Sequence, residues 1–127
     1  MARILVIDDY EGARRFAKTV LEAFGHTVLE AGDGEEGLRV LREQHAEVVV
    51  CDLFMPKRDG LEVIQELRRD FPRLPIIAIS AGAPGGQGDA LPFARALGAD
   101  RVLWKPFEAQ ALLAAVEEHS ALATAKE

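Results

Sequence analysis

Short apolar runs alternate along the chain with segments of helical periodicity. Four strong runs cover residues 4–7, 48–51, 76–79 and 102–104, and a weaker, partly polar run covers residues 27–31. This alternation is typical of an α/β protein with a parallel sheet. Because the strong runs lack polar alternation, we expect helices on both faces of the sheet. The partly polar run indicates an edge strand.

Between the runs, apolar positions recur every 3.6 residues, which predicts amphipathic helices. The first helix should end at Gly25, because glycine suits a left-handed C-terminal position. A glycine-rich loop over 82–88 should precede a short fourth helix, since glycine and proline disfavour a helix there. The first helix should bury a stripe of Ala13, Phe16, Ala17, Val20, Leu21 and Phe24. The other helices are predicted over residues 34–43, 60–71, about 90–97 and 108–121.

Length and composition restrict the class of protein. The 127 residues predict one domain over residues 1–121 and a frayed tail over 122–127. A net charge of −6 and a pI of about 5.1 argue against a nucleic-acid surface. The single cysteine, Cys51, forms no internal disulfide, and no Cys/His cluster indicates zinc. Because the sequence has neither a membrane-length apolar run nor a secretory signal, we expect a cytoplasmic protein.

Polar side chains follow four of the five predicted strands at the point where each ends. Asp8 and Asp9 follow the first strand, Asp52 the third, Ser80 the fourth and Lys105 the fifth. In an open parallel sheet, functional groups collect beyond the carboxyl ends of the strands. The sequence therefore brings three carboxylates, one hydroxyl and one ammonium to one edge.

Three neighbouring carboxylates repel one another unless a cation intervenes. A divalent ion and Lys105 would together balance the three aspartates, and all-oxygen ligation favours Mg²⁺, with Mn²⁺ possible. Such a site can bind phosphoryl oxygens, and one carboxylate remains as a nucleophile that would form an acyl phosphate. Asp52 is the best choice because it ends the central apolar run, whereas Asp8 and Asp9 suit metal ligation.

The order and spacing of these motifs resemble the receiver domain of response regulators, the phosphoacceptor module of two-component histidine–aspartate phosphorelays. The resemblance covers essentially the whole chain. It implies a flavodoxin-like, doubly wound five-stranded parallel sheet of order 2-1-3-4-5 with five helices. The motifs that carry it are Asp8-Asp9, residues 31–38, residues 52–56, Asp59-Gly60, Ser80-Ala81, residues 98–100 and Lys105-Pro106-Phe107.

The resemblance also implies a role for each site residue. Asp52 is similar to the phosphorylated aspartate of the family. Mg²⁺ ligands would be Asp9, Asp52 and the backbone carbonyl of Phe54, with Asp8 acting mostly through a bound water. Lys105 would pair with one phosphoryl oxygen, while Ser80 and the Ala81 N–H would bind another. The Lys105–Pro106 peptide bond would be cis.

The chain departs from the family pattern at two places. Val102 occupies a position that is often aromatic, and Trp104 lies on the same strand face, so coupling between Ser80 and an aromatic switch is in doubt. Phe54 and Gly82, each two residues after a site residue, cannot orient an attacking water. We therefore predict a slowly hydrolysing phosphoaspartate.

The implied function is a phosphorylation-activated switch. The phosphoryl donor would be a histidine kinase or phosphotransfer protein, and phosphorylation would change the surface of the fourth helix, fifth strand and fifth helix. A downstream protein or a missing output domain would bind that surface. The receiver itself would make no direct contact with nucleic acid or a membrane. The chain would be a monomer or a phosphorylation-linked dimer. It would be no enzyme beyond catalysing its own phosphorylation and slow dephosphorylation.

Other interpretations stay open at this stage. A Mg²⁺-dependent phosphatase acting through a phosphoaspartate normally needs a second acid two residues after the nucleophile, where this chain has Phe54. A phosphorylation-independent pseudo-receiver is a further alternative. A nucleotide-binding flavodoxin-like module is disfavoured, because Asp8-Asp9 would repel a pyrophosphate. Arg14 and Arg15 form either a solvated helix face or a contact for the kinase.

Overall fold

The computed structural model describes residues 2–53, 55, 60–81, 96 and 98–125. Strands and helices alternate along the chain up to Asp70, as the apolar pattern predicts. We number them in chain order, so the predicted fifth helix is α4. The elements are β1 (Arg3–Ile7), α1 (Glu11–Ala23), β2 (Thr27–Ala31), α2 (Gly34–Glu43), β3 (Val48–Asp52), α3 (Gly60–Asp70), β4 (Ile76–Ala81), β5 (Arg101–Lys105) and α4 (Ala109–Ala125).

The five strands form one parallel sheet in the order β2-β1-β3-β4-β5. This confirms the predicted doubly wound topology and the position of β2 at an edge. In the register, Ile7 pairs with Cys51 across β1 and β3, and Asp52 pairs with Ile79 across β3 and β4. Ser80 pairs with Trp104 across β4 and β5. The carboxyl ends of β1, β3, β4 and β5 therefore lie at one edge.

Successive side chains of each strand enter two separate apolar layers, because a strand points its residues alternately to opposite faces. On one face Leu5 and Val49 pack with residues of α2 and α3, including Leu38 and Leu67. On the other face Val6 and Val50 belong to a cluster with residues of α1 and α4. Val102 belongs to the α2/α3 layer and Trp104 packs against it, which confirms that the two share a strand face.

Local signals explain where two helices begin and end. The α1 helix ends at Ala23, and Gly25 has a positive φ of 92°, as predicted for this glycine. Asp33 caps α2: its carboxylate accepts from the Glu36 N–H at 2.8 Å, while the Glu36 side chain accepts from the Gly32 N–H at 3.1 Å. In this variant of the capping box the Glu36 side chain accepts from the residue before the cap, and α2 starts at the predicted residue.

Some expectations about the helices need correction or lie outside the described residues. Phe16 and Phe24 are 46% and 58% exposed, so the predicted buried stripe of α1 is wrong at both positions. Phe24 follows the last residue of α1, and the buried contacts of α1 come from Ala17 and Leu21. The α4 helix continues four residues past its predicted end at residue 121, through alanine-rich sequence with high helix propensity.

The glycine-rich loop over 82–88 lies outside the described residues, as does the helix over 90–97 apart from residue 96. The Lys105–Pro106 peptide bond is cis, as predicted. None of the described helices combines the length and the apolar character that a membrane span needs.

Candidate functional site

Three aspartates meet at the carboxyl ends of β1 and β3. The ladder between these strands places Asp8 beside Asp52, since Ile7 pairs with Cys51. Asp8, Asp9 and Asp52 each have a carboxylate oxygen within 4.8 Å of the others. Asp8 and Asp52 are buried, at 4% and 5% exposure, whereas Asp9 is exposed. The arrangement opens to solvent on the side of Asp9.

Lys105 brings a positive charge to this cluster from the end of β5. Its Nζ lies 3.7 Å from Asp52 Oδ2 and 3.9 Å from Asp8 Oδ2. Ser80, only 2% exposed, lies in β4 one residue beyond the register partner of Asp52, and Ala81 is the last residue of that strand. The described site residues therefore share one edge, while Phe54 lies outside the described residues.

The Asp8 carboxyl has an unusual electrostatic environment. Burial raises its pKa from 3.8 to about 6, and the nearby Asp52 charge adds to the rise. The Tyr10 N–H, which donates to Asp8 Oδ1 at 2.9 Å, and the Lys105 charge oppose it. The Lys105 charge thus only partly offsets the penalty that burial, and to a lesser degree the Asp52 charge, place on the ionised Asp8 carboxyl. A divalent cation would offset it, and oxygen ligands of this type suit Mg²⁺.

The profile of the response regulator receiver domain matches residues 4–117. The chain belongs to this family. Protein PilG of Pseudomonas aeruginosa is 32% identical to the receiver over 119 residues, which are 92% of this chain and 86% of PilG. The probable transcriptional regulator ycf27 of Porphyridium aerugineum is 40% identical over 116 residues, 90% of this chain and 46% of that protein. The receiver thus spans about half the length of the first curated relatives it matches.

Solved structures agree with the sequence matches. A response regulator receiver domain protein from Clostridium thermocellum has a TM-score of 0.88 and 32% identity, with full coverage of both chains. The chemotaxis protein CheY4 of Vibrio cholerae has a TM-score of 0.82 and 27% identity over 93% of this chain and 98% of CheY4. Family and fold together support a phosphorylation-activated switch of two-component signalling.

The sequence predicted that Arg14 lies on a solvated helix face or contacts the kinase. In the structure Arg14 is instead half-buried and makes hydrogen bonds within the receiver. The Arg14 side chain is 17% exposed, whereas that of Arg15 is 65% exposed. Arg14 Nη1 donates to the backbone carbonyl of Asp8 at 2.9 Å, and its Nε donates to Glu30 at 3.1 Å. The sequence offered one signal for this role. Glu30 is an acidic residue in the partly polar strand β2, and a buried or half-buried carboxylate needs a basic partner, which α1 supplies.

An apolar groove adjoins the receiver site. It has a volume of about 690 Å³, and Lys105 belongs to its lining together with Tyr10, Phe16, Pro106 and Phe107. Tyr10 is 68% exposed. The exposure of Phe16 is thus explained by its place in this groove, directly beside the lysine that contacts Asp52.

Proposed function

We propose that the receiver accepts a phosphoryl group on Asp52 from a phosphohistidine, in a reaction that requires Mg²⁺. One observation carries the proposal: the carboxylates of Asp8, Asp9 and Asp52 lie within 4.8 Å of one another, and the Lys105 ammonium is 3.7 Å from Asp52. This places the proposed nucleophile, the proposed cation ligands and a charge that would bind the phosphoryl group at one edge of the sheet.

The residues fit a magnesium ion by charge and by ligand type. Asp8, Asp9 and Asp52 would hold it, and the carbonyl of Phe54 stays an expected further ligand. When bound, the ion supplies positive charge to the carboxylates and to the oxygens of the transferring group. Mn²⁺ can replace it, because both ions accept oxygen ligands.

The transfer itself is a displacement at phosphorus. An Asp52 carboxylate oxygen forms a bond to phosphorus while the P–N bond to the donor imidazole breaks, and the nitrogen keeps the electron pair. Lys105 would bind one phosphoryl oxygen by charge. The hydroxyl of Ser80 and the backbone N–H of Ala81 would donate to another, which draws β4 toward the modified residue.

The output of the switch is a change in surface, and not turnover of a separate substrate. Movement of Ser80 would reach the neighbouring strand β5 and the C-terminal helix α4, where a partner protein or an attached output domain would bind. Dimerisation through this surface is a compatible form of output. The chain would act in the cytoplasm, where ATP-derived phosphohistidines are made. We expect slow loss of the phosphoryl group, on the sequence argument from Phe54 and Gly82.

Incubation with acetyl phosphate and Mg²⁺, followed by intact mass spectrometry, tests the proposal. The wild type should gain one phosphoryl group, and Asp52→Asn should gain none. Asp70→Asn is the matched control, because Asp70 is an aspartate on α3 that pairs with Arg42 and Arg69 outside the site. Phosphorylation that persists in Asp52→Asn, or steady hydrolysis of a generic phosphoester by the wild type, would contradict it.

We further propose that the donor protein rests on the apolar groove while its phosphohistidine reaches Asp52. The groove is continuous with the site through Lys105, so a protein seated there is placed beside the acceptor. Phe16→Ala should slow transfer from a phosphorylated donor protein but leave the reaction with acetyl phosphate unchanged. Phe24→Ala is the control, since this exposed aromatic is absent from the groove lining. Equal slowing by both variants would exclude the groove.

A further inference from the structure

Arg14 connects the acidic site to strand β2 through two directed hydrogen bonds. Its Nη1 donates to the Asp8 carbonyl at 2.9 Å and its Nε to Glu30 Oε1 at 3.1 Å. We propose that Arg14 is a positioning residue for the metal site, which orients the peptide between Asp8 and Asp9 and is itself held by Glu30. The inference rests on the proposed magnesium-dependent function and assigns a role to a residue that touches neither metal nor phosphoryl group.

The backbone of Asp8 is held on both sides. Its N–H donates to the Ala31 carbonyl at 3.1 Å, which extends the ladder between β1 and β2 by one residue. Its carbonyl accepts from Arg14 at the point where the chain leaves the sheet. Because a peptide unit is planar, fixing this carbonyl also fixes the nitrogen of Asp9 and the direction in which Asp9 leaves. Asp9 is the exposed member of the carboxylate cluster, so it gains most from this restraint.

An ion pair with Glu30 reduces the repulsion between the Arg14 guanidinium and a cation bound at the nearby site. Its carboxylate pairs with Arg14 and also accepts from Lys18 Nζ at 3.3 Å. Although burial acts to raise it, the hydrogen bonds from Lys18 and Arg14 lower the pKa of Glu30 below its ordinary value. The carboxylate is therefore ionised at neutral pH and offsets part of the arginine charge, although it also faces Lys18 and, at 4.0 Å, the Nε of Arg15. Arg14 can then orient the Asp8 carbonyl with less electrostatic opposition to metal binding.

Two variants separate positioning from simple charge. Arg14→Met and Lys18→Met each remove one cation from Glu30, but of these two residues it is Arg14 whose side chain donates to Asp8. If Arg14 positions the site, Arg14→Met should raise the Mg²⁺ dissociation constant by about 10-fold or more, as removal of groups that orient ligands commonly does. Lys18→Met should leave the Mg²⁺ dissociation constant unchanged or lower it slightly, because this substitution only removes positive charge. Arg14→Lys should be intermediate, since one ammonium reproduces the bidentate guanidinium poorly.

The measurements are magnesium titration by calorimetry and amide hydrogen exchange of the metal-free protein. Faster exchange of the Tyr10 N–H in Arg14→Met but not in Lys18→Met would support a looser loop, because that N–H is held by Asp8 Oδ1. If Arg14→Met does not fold, Glu30→Gln serves as the second variant and should also weaken magnesium binding. Equal dissociation constants in wild type, Arg14→Met and Glu30→Gln, or tighter binding in Arg14→Met, would overturn the proposal.

The same experiment distinguishes failure of this inference from failure of the proposed function. If the wild type takes a phosphoryl group but Arg14→Met binds Mg²⁺ as the wild type does, the role of Arg14 is excluded and the switch stands. If the wild type binds Mg²⁺ but is never phosphorylated, the switch is excluded. The exchange rates and magnesium affinities then still decide the role of Arg14.

Discussion

Replacing Asp8 with asparagine should stabilise the metal-free protein at neutral pH. In the folded state burial and Asp52 raise the pKa of Asp8 from 3.8 to about 6. At ~1.4 kcal/mol per pH unit, ionising this group in the folded state opposes folding by at most about 3 kcal/mol. Screening by solvent reduces the effect, and the Lys105 charge is already included in the raised pKa, so we expect about 1–3 kcal/mol. Asparagine carries no charge and avoids this cost.

The sign of the pH dependence follows from the raised pKa. Between about pH 4 and pH 6 the folded state binds more protons at Asp8 than the unfolded state does. The contribution of Asp8 to the free energy of unfolding therefore falls as pH rises through this window, and the full penalty is present above about pH 7. Below about pH 4 Asp8 is protonated in both states and the penalty disappears.

Urea unfolding in the presence of EDTA measures this effect. The difference in unfolding free energy, Asp8→Asn minus wild type, should grow by about 1–3 kcal/mol between pH 4 and pH 7.5. The pKa values of Glu30 and Asp70 are lowered, so these groups contribute to the free energy of unfolding at neutral pH and lose that contribution in acid. Both proteins contain them, so their contributions cancel in the difference. Adding Mg²⁺ should stabilise the wild type more than the variant, because binding to the folded state is linked to stability. A difference that does not change with pH would refute the reasoning.

Two further predictions concern the N-termini of α3 and α2. A Cβ on Gly60 would meet the Asp52 carbonyl oxygen and lie 2.5 Å from Leu53 Cα. Gly60→Ala should therefore lower the unfolding free energy by more than ~2 kcal/mol. Because the clash involves the backbone of Asp52, the substitution should also slow phosphorylation by acetyl phosphate. Gly32→Ala is its control, because the nearest atom to that Cβ, Arg14 Nη1, lies at 3.7 Å, an ordinary contact distance. Asp33→Ala should cost ~1 kcal/mol in urea unfolding through loss of the α2 N-cap; an unchanged midpoint would show that the cap contributes nothing.

Much of the fold could be predicted because its signals are local. Apolar runs marked all five strands, four of them continuous and that of β2 partly polar. The α2 helix begins at its predicted residue because the sequence places Asp33 as its N-cap and Glu36 three residues later. The site residues could be singled out for a related reason. In a parallel sheet, a polar residue that directly follows an apolar run is carried to the same edge as the others.

The remaining features depend on contacts between distant parts of the chain. Arg14 lies opposite the apolar stripe of α1, so periodicity alone placed it in solvent, although Glu30 and Asp8 bury it from β2 and the end of β1. Phe16 counted as a core position by its hydrophobicity, but Ala17 and Leu21 face the sheet and Phe16 lines the groove beside Pro106. Helical periodicity gives the direction of a side chain only approximately, and the neighbouring elements decide what it meets.

The division of the interior by the sheet has a consequence for how the protein tolerates change. The backbone of five strands separates Leu67 of α3, which packs on one face of the sheet, from Leu112 of α4, which packs on the opposite face. Substitutions at such non-touching sites contribute nearly independent free energies. Each apolar layer can therefore accumulate substitutions independently of the other. Residues at the edge of the sheet that contact both layers respond to substitutions in either one.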